Sequence, residues 1–291
     1  RGLDSLSSVG GRLFFSQLPR IVSLDDVGNL TDVGGDLVLE DLPSLASTLL
    51  PNLASIGGHF QLTNLNALKS FGAIDALSSV GGALVLQNVH VETFAGLSGL
   101  TTLGTDGGGI SLSISSCQNL RSTRGLSNLT GAVPGSVLLS SLPLLEDLAD
   151  LDGVSSVGSD ASGNGLVISG ARRLRSIESL SGIREVRGRV EITLAPILQT
   201  LKGLDQMTQA GDLVINDVGV ETLDGLRSLG TLSRLPTGTS SMHIENCPRL
   251  TSIAGLRRFA GALDGRLYLK NLPELTSLQG LEGITSVAAV Q

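Results

Sequence analysis

Apolar residues along this chain fall into a phrase that returns, in most copies, every 22 to 25 residues. Written out it is L-x-x-L-x-x-V-G-G-x-L-x-L-x-x-L-P-x-L-x-x-L, and eleven copies with a partial twelfth fill the sequence. "SSVGGRLFFSQLPRIVSL", "TDVGGDLVLEDLPSLAST" and "SSVGGALVLQNVHVETF" are three of them. Inside each copy two apolar residues alternate with a third position, as in Leu13 and Phe15, Leu37 and Leu39, Leu84 and Leu86, or Leu166 and Ile168. Period-2 alternation over a short stretch predicts a strand with one face inward. A fixed repeat from end to end predicts that successive coils stack these strands in parallel, each coil contacting only its neighbours. The expected fold is therefore a repeat solenoid, a right-handed β-helix with leucine-rich-repeat-like phrasing, a parallel sheet and little or no helix. Residues 1–291 form one continuous solenoid of about eleven coils of 22–30 residues, roughly 50 Å long at ~4.8 Å per coil.

The punctuation between apolar positions supports the same reading. Glycine pairs precede the strand at Gly10 and Gly11, Gly34 and Gly35, Gly57 and Gly58, and Gly81 and Gly82. They imply either a positive φ or a close backbone approach. Asp41, Asn64, Asn88, Asp217, Asn246 and Asn271 share one position after the strand, where Asx side chains can serve corner backbone groups. Pro19, Pro43, Pro143, Pro196, Pro248 and Pro273 follow two residues later and stop the strand. Longer similarities overlie the single repeat: "VETFAGLSGL" returns as "VETLDGLRSL", and "SCQNLRS" as "NCPRLTS", so block 72–148 resembles block 202–278. Arg1 opens in mid-phrase and "SVAAVQ" ends part way through another, which leads to the expectation of a segment from a longer protein with both ends inside a repeat.

Composition narrows the class of work. Aromatic residues are only 2% of the chain against 41% apolar, so the core must be ranks of Leu, Val and Ile. A formal charge of −7 with 16% charged residues provides no basic field for a phosphate backbone, which argues against nucleic acid. No apolar run of membrane-spanning length is present. Cys117 and Cys247 hold the same place in two repeats, five coils or roughly 24 Å apart, too far for a disulfide, and are expected as free core thiols.

Candidate chemistry is sparse. His59, His90 and His243 occupy different repeat positions, so no metal site is expected. The row before the strand (Arg12, Asp36, His59, Ala83 onward) and the row after it (Ser16, Glu40, Thr63, Gln87 onward) contain no adjacent carboxylate pair. General acid–base work of the glycosidase kind therefore lacks its residues, and the chain reads as no enzyme, with no cofactor. "GSDASGNG" around Asp160 has the oxygen-rich look of a calcium loop but only one acid, and reads equally as a connector. "GTDGGG" around Asp106 is a weaker version of the same. Extra residues of repeats 5, 7 and 10, around Asp106, Asp160 and Pro236, all enter at the corner before the strand. They form either a binding rim or tolerated loops.

The phrase "VGGDLVLEDLPSLAS", followed by Gly-Leu as in "AGLSGL" and "RGLSNL", resembles the receptor L-domain, the leucine-rich β-helical module of growth-factor receptor ectodomains, and the L-domain-like repeats of microbial and algal surface proteins. The chain lacks the receptors' cysteine-rich neighbours and aromatic content, so their ligands do not carry over. The resemblance implies extracellular or cell-surface display and work by binding. A plain leucine-rich repeat differs by a helix on the far side, for which "GLSNLT" is short and glycine-interrupted.

Two sets of outward residues bear on function. Between the two inward strand residues stand Phe14, Val38, Val85, Leu138, Val167, Val214 and Tyr268, with Gln61, Ser113, Glu191 and His243 in the other copies. An apolar stripe with polar rims is the anatomy of an interaction face, although β-propensity alone also accounts for Val and Tyr. The expected function is recognition or adhesion, binding a protein, a glycan or a second solenoid through this face. A structural cell-wall or surface-layer spacer is the alternative. Asn29 and Asn128 head Asn-x-Thr sequons at one repeat position, where exposure and, in a eukaryotic secreted protein, glycosylation are expected.

Overall fold

The computed structural model describes residues 2–235 and 240–288, and these form a parallel β-solenoid of about twelve turns. Eleven strands, from Leu13–Ser16 in the first coil to Leu267–Lys270 in the eleventh, make one sheet whose spatial order is the sequence order. Every coil adds one strand beside the last, and all pairings are parallel. A short strand precedes each of these, as Ser8–Val9, Asp32–Val33 and Ser55–Ile56 do, and lies in a second, narrower set of sheets. Ile284–Val287 is the corresponding short strand of the twelfth turn, paired with Gly261–Leu263. The only helical pieces among the described residues are four single 3-10 turns, Asp25–Val27, Glu178–Leu180, Asp224–Leu226 and Ala254–Leu256. No α-helix backs the solenoid there, which removes the feature separating an ordinary helical leucine-rich repeat from a β-helical one.

The inward positions form stacked ranks. Leu37, Phe60, Leu84, Leu112, Leu213 and Met242 of the first strand position are buried, as are Leu39, Leu62, Leu86, Ile114, Ile215 and Ile244 of the second. Leu13, Phe15, Leu267 and Leu269 are only partly buried because each lies in an end coil of the sheet. Another rank runs Thr48, Phe71, Phe94 and Thr123, all with no exposed surface. The two phenylalanine rings stack with centroids 5.6 Å apart and planes at 23°. Threonines on either side leave room for them, and each hydroxyl donates to a carbonyl of a neighbouring coil, Thr48 to Phe71 at 2.6 Å and Thr123 to Ala149 at 2.8 Å. The duplicated blocks keep their local geometry: Cys117 and Cys247 are both free, both buried, and each thiol points at the carbonyl two residues before it. Burial raises both thiols to about 11, so they are protonated at neutral pH and poor nucleophiles.

Two corners explain the punctuation. The glycine pairs serve close approach. Their φ values are not positive, but a Cβ at Gly34 would lie 2.5 Å from the Gly10 carbonyl oxygen, and one at Gly35 2.8 Å from the Gly11 carbonyl carbon. After the strand the reverse holds. The Asx position adopts left-handed backbone in every coil, from Gln17 (φ 56°) through Asn64 (55°) to Asn271 (53°), with Gly170 standing there once. Asn and Asp tolerate this region best among residues with a side chain. Their amides also ladder along the solenoid: Asn64 donates to Asp41 at 2.7 Å, Asn88 to Asn64 at 2.9 Å, and Asn271 to Asn246 at 2.7 Å.

Leu194 is the exception in that row. It is held at φ 55° with 40 % of its surface exposed. A branched side chain in left-handed backbone costs about 1–2 kcal/mol, and little burial offsets it here. Leu194→Asn is expected to raise the free energy of unfolding by about 1 kcal/mol. A urea midpoint that stays put or falls would show that Leu194 packing outweighs the backbone strain.

Candidate functional site

The broad sheet presents the outward row as one line in register. Phe14 pairs with Val38, Val38 with Gln61, Gln61 with Val85, and so on through Leu138 with Val167 to His243 with Tyr268. All seven apolar or aromatic candidates therefore share one face, and none belongs to the core cluster. Val85 stands between fully buried Leu84 and Leu86, and Leu138 and Val167 between similarly buried neighbours. These side chains point out while the residues on either side point in.

Exposure along the row is uneven. Phe14 is 47 % exposed and lies under the Arg12 guanidinium, 4.5 Å from the ring centroid. Val38 is only 2 % exposed, because the larger Phe14 and Gln61 flank it in the row. It offers a partner almost no surface. Val85, Leu138, Val167, Val214 and Tyr268 are half-buried, each shielded by its row neighbours. Coils 1–7 thus carry a low apolar stripe interrupted at Gln61 and Ser113.

Coils 8–11 differ. Arg189, Glu191, Asp212, His243, Arg266 and Tyr268 surround a hollow of about 530 Å³. Arg189 makes long ion-pair contacts, Nη1 with Glu191 at 3.5 Å and the buried Nε with Asp212 at 3.7 Å, and the Nε–H has no closer acceptor. The Asp212 side chain is 8 % exposed. Burial raises its pKa, opposed by the Ser241 N–H, which donates to it at 2.6 Å, and by Arg189. His243 and Tyr268 meet edge to face with centroids 4.4 Å apart. On the rim, Glu245 is bonded to Lys270 and His243, each at 3.0 Å, and these contacts lower its pKa and raise that of Lys270. Arg266 is exposed and makes no ion pair among the described residues.

The inserted corners flank this face and touch one another. Ala161 N–H of the Asp160 insertion donates to the Gly108 carbonyl of the Asp106 insertion at 2.8 Å. Leu235, 3 % exposed, reaches back from the tenth coil to the seventh, where a Cβ at Gly163 would lie 3.4 Å from it. Pro236, at the head of the third insertion, lies outside the described residues. The acids of the first two are spent internally. Asp106 accepts from Gly108 and Ile110 N–H groups, both at 2.8 Å. Asp160 accepts from Ser162 and Asn164 N–H, the Asn164 amide and the Ser136 hydroxyl. Those bonds organise the loops as Asx turns. Among the described residues no group of three or more His, Cys, Asp or Glu is arranged to hold a metal ion.

Asn29 and Asn128 are exposed on one ridge away from the strand face. Each amide nitrogen donates to a carbonyl of the preceding coil, Asn29 to Asp4 at 2.6 Å and Asn128 to Ser98 at 2.7 Å. No helix among the described residues is long and apolar enough to cross a membrane. No protein-family model, curated protein or solved structure matches this chain.

Proposed function

We propose that the solenoid is a non-catalytic recognition or adhesion module, displayed at a cell surface as its resemblance to receptor L-domain repeats implies, that binds a protein or glycan through the broad sheet. The observation that carries this reading is the outward row: eleven residues in unbroken register, mostly apolar along coils 1–7 with Gln61 and Ser113 between, and joined at coils 8–11 to a polar and aromatic hollow. A parallel sheet of eleven strands paired in continuous order is rigid, so a partner bound to it loses little to reordering of the protein. Coils of fixed rise also set contacts at regular intervals, which suits an extended partner.

The test separates face from fold. Val85→Glu, Leu138→Glu and Val167→Glu, combined in one chain, leave the inward ranks untouched and are expected to preserve the circular dichroism spectrum. Beads carrying the chain are tested on intact cells and on arrays of extracellular proteins and glycans. Wild-type chain should bind and the triple variant should bind at least about tenfold less, the loss expected when charges enter an apolar contact. Ser127→Glu and Ser181→Glu, both exposed away from the sheet, should bind as wild type. Loss of binding in that pair with retention in the triple variant would move the site off the sheet. Binding of wild type to nothing on cells or arrays would leave the spacer reading standing instead.

A further inference from the structure

The hollow at coils 8–11 holds more hydrogen-bonding capacity than the protein uses. Arg189 sits between two carboxylates in long ion-pair contacts, its Nη1 3.5 Å from Glu191 and its buried Nε 3.7 Å from Asp212, and the Nε–H has no closer acceptor. Contacts of this length hold the guanidinium in place and are weaker than short charge-assisted hydrogen bonds, which leaves the partly exposed side chain able to bond a ligand. The contrast with the adjoining rim is direct, since Glu245 there is satisfied at 3.0 Å by both Lys270 and His243. Arg266 adds a second guanidinium without an ion pair among the described residues.

Charge sign narrows what fits. Arg189 and Arg266 face Glu191 and Asp212 around the hollow, so the lining is balanced. An anion such as phosphate or sulfate meets two carboxylates, and a cation meets two guanidiniums. A neutral group that both donates and accepts meets neither penalty, and a hydroxyl is the smallest that does so. One hydroxyl can accept from a guanidinium N–H and donate to a carboxylate oxygen in the same geometry. Against these planar polar groups stands the edge-to-face pair of His243 and Tyr268, an apolar surface with a polar tip. Vicinal hydroxyls on one edge and C–H groups on a face describe a sugar ring. The volume, about 530 Å³, falls within the range of small-molecule sites.

Resting on the reading of this sheet as a recognition face, we infer that the hollow formed by Arg189, Glu191, Asp212, His243, Arg266 and Tyr268 is a binding subsite for a neutral saccharide, of one or two hexose units. Tyr268 supplies the stacking surface, and Arg189, Glu191, Asp212 and Arg266 engage ring hydroxyls. The apolar row of coils 1–7 lies outside the subsite.

Saturation-transfer NMR on the full chain tests this with named probes. The neutral set is the methyl glycosides of glucose, mannose and galactose with cello-, malto- and manno-oligosaccharides. The anionic set is inorganic phosphate and a sulfated heparin disaccharide. At least one neutral sugar should receive saturation at its ring protons. Tyr268→Ala should weaken it at least about tenfold, and Tyr268→Phe, which keeps the ring, by no more than about threefold. Arg266→Gln should weaken it while leaving the thermal transition unchanged, because Arg266 is exposed and makes no ion pair among the described residues. Val85→Glu should leave sugar binding intact. The proposal is overturned by silence across the neutral set, by binding of the anionic probes alone, or by undiminished sugar binding in folded Tyr268→Ala. Should sugars fail while the triple variant at Val85, Leu138 and Val167 still loses its partner, the subsite is wrong and the recognition face stands. Sugar binding together with an unaffected triple variant would confine recognition to the hollow.

Discussion

Phe94→Ala is expected to lower the free energy of unfolding by about 3–5 kcal/mol, the range for emptying a phenylalanine site in a packed core. Phe94 has no exposed surface and stacks on Phe71 at 5.6 Å, so the substitution removes a ring from both solvent exclusion and an aromatic pair. Collapse around the cavity is restricted. Coil spacing is set by the ladders of the neighbouring strands, and Phe94 N–H is itself bonded to the Arg124 carbonyl at 2.8 Å. The double variant Phe71→Ala with Phe94→Ala should cost less than the sum of the singles, since they share one cavity and one ring contact. Urea unfolding measures all three. A loss under about 1 kcal/mol for the single change would mean that the coils close over the gap, and the solenoid would then be softer along its axis than its register implies.

Much of this architecture is legible in the sequence because a solenoid writes each structural position many times. Alternation of Leu13 and Phe15, or Leu84 and Leu86, fixes which residues enter the core, and the repeat fixes which residues become neighbours. The pairing of Phe14 with Val38 through to His243 with Tyr268 follows from that alone. What stays hidden depends on size or on several rows at once. Val38 carries the same pattern as Val85 yet is buried, because burial on an outward row depends on its neighbours' bulk. Left-handed backbone after the strand is suggested by repeated Asn and Asp, but nothing in the letters shows that Leu194 is forced into it too. The hollow is assembled from two rows and four coils. Arg189 and Asp212 stand in the row before the strand, and Glu191, His243 and Tyr268 in the outward row. Each row read singly shows scattered charges; reading adjacent rows together over coils 8–11 is the signal that would have found the cluster.

The glycine pairs gave two open explanations, positive φ and close approach, and the second predicts a steep, position-dependent penalty. A Cβ on Gly57 would sit on the Gly34 carbonyl oxygen, with the carbonyl carbon 2.9 Å away. Neither is the far end of a flexible side chain, so relief requires the two coils to move apart. Gly57 N–H is bonded to the Val33 carbonyl at 2.7 Å, and Gly81 repeats the arrangement one coil on, its own N–H bonded to Ile56 at 2.8 Å. Separation at this corner therefore strains hydrogen bonds on both sides. Gly57→Ala is expected to cost about 1–3 kcal/mol, the range for overpacking a tight interior. Gly10→Ala is the control: nothing lies within 4 Å of a Cβ there, and its φ is not positive, so it should be neutral or slightly stabilising through reduced freedom of the unfolded chain. Arg187 shows that the corner can admit a side chain in a coil whose neighbour carries the Asp160 insertion, its N–H still bonded to the Val157 carbonyl at 2.9 Å. The penalty thus belongs to the uninterrupted stack of coils 1–4. Equal urea midpoints for Gly57→Ala and Gly10→Ala would contradict close approach as the reason for glycine, and a loss at both would point to an intrinsic turn requirement instead.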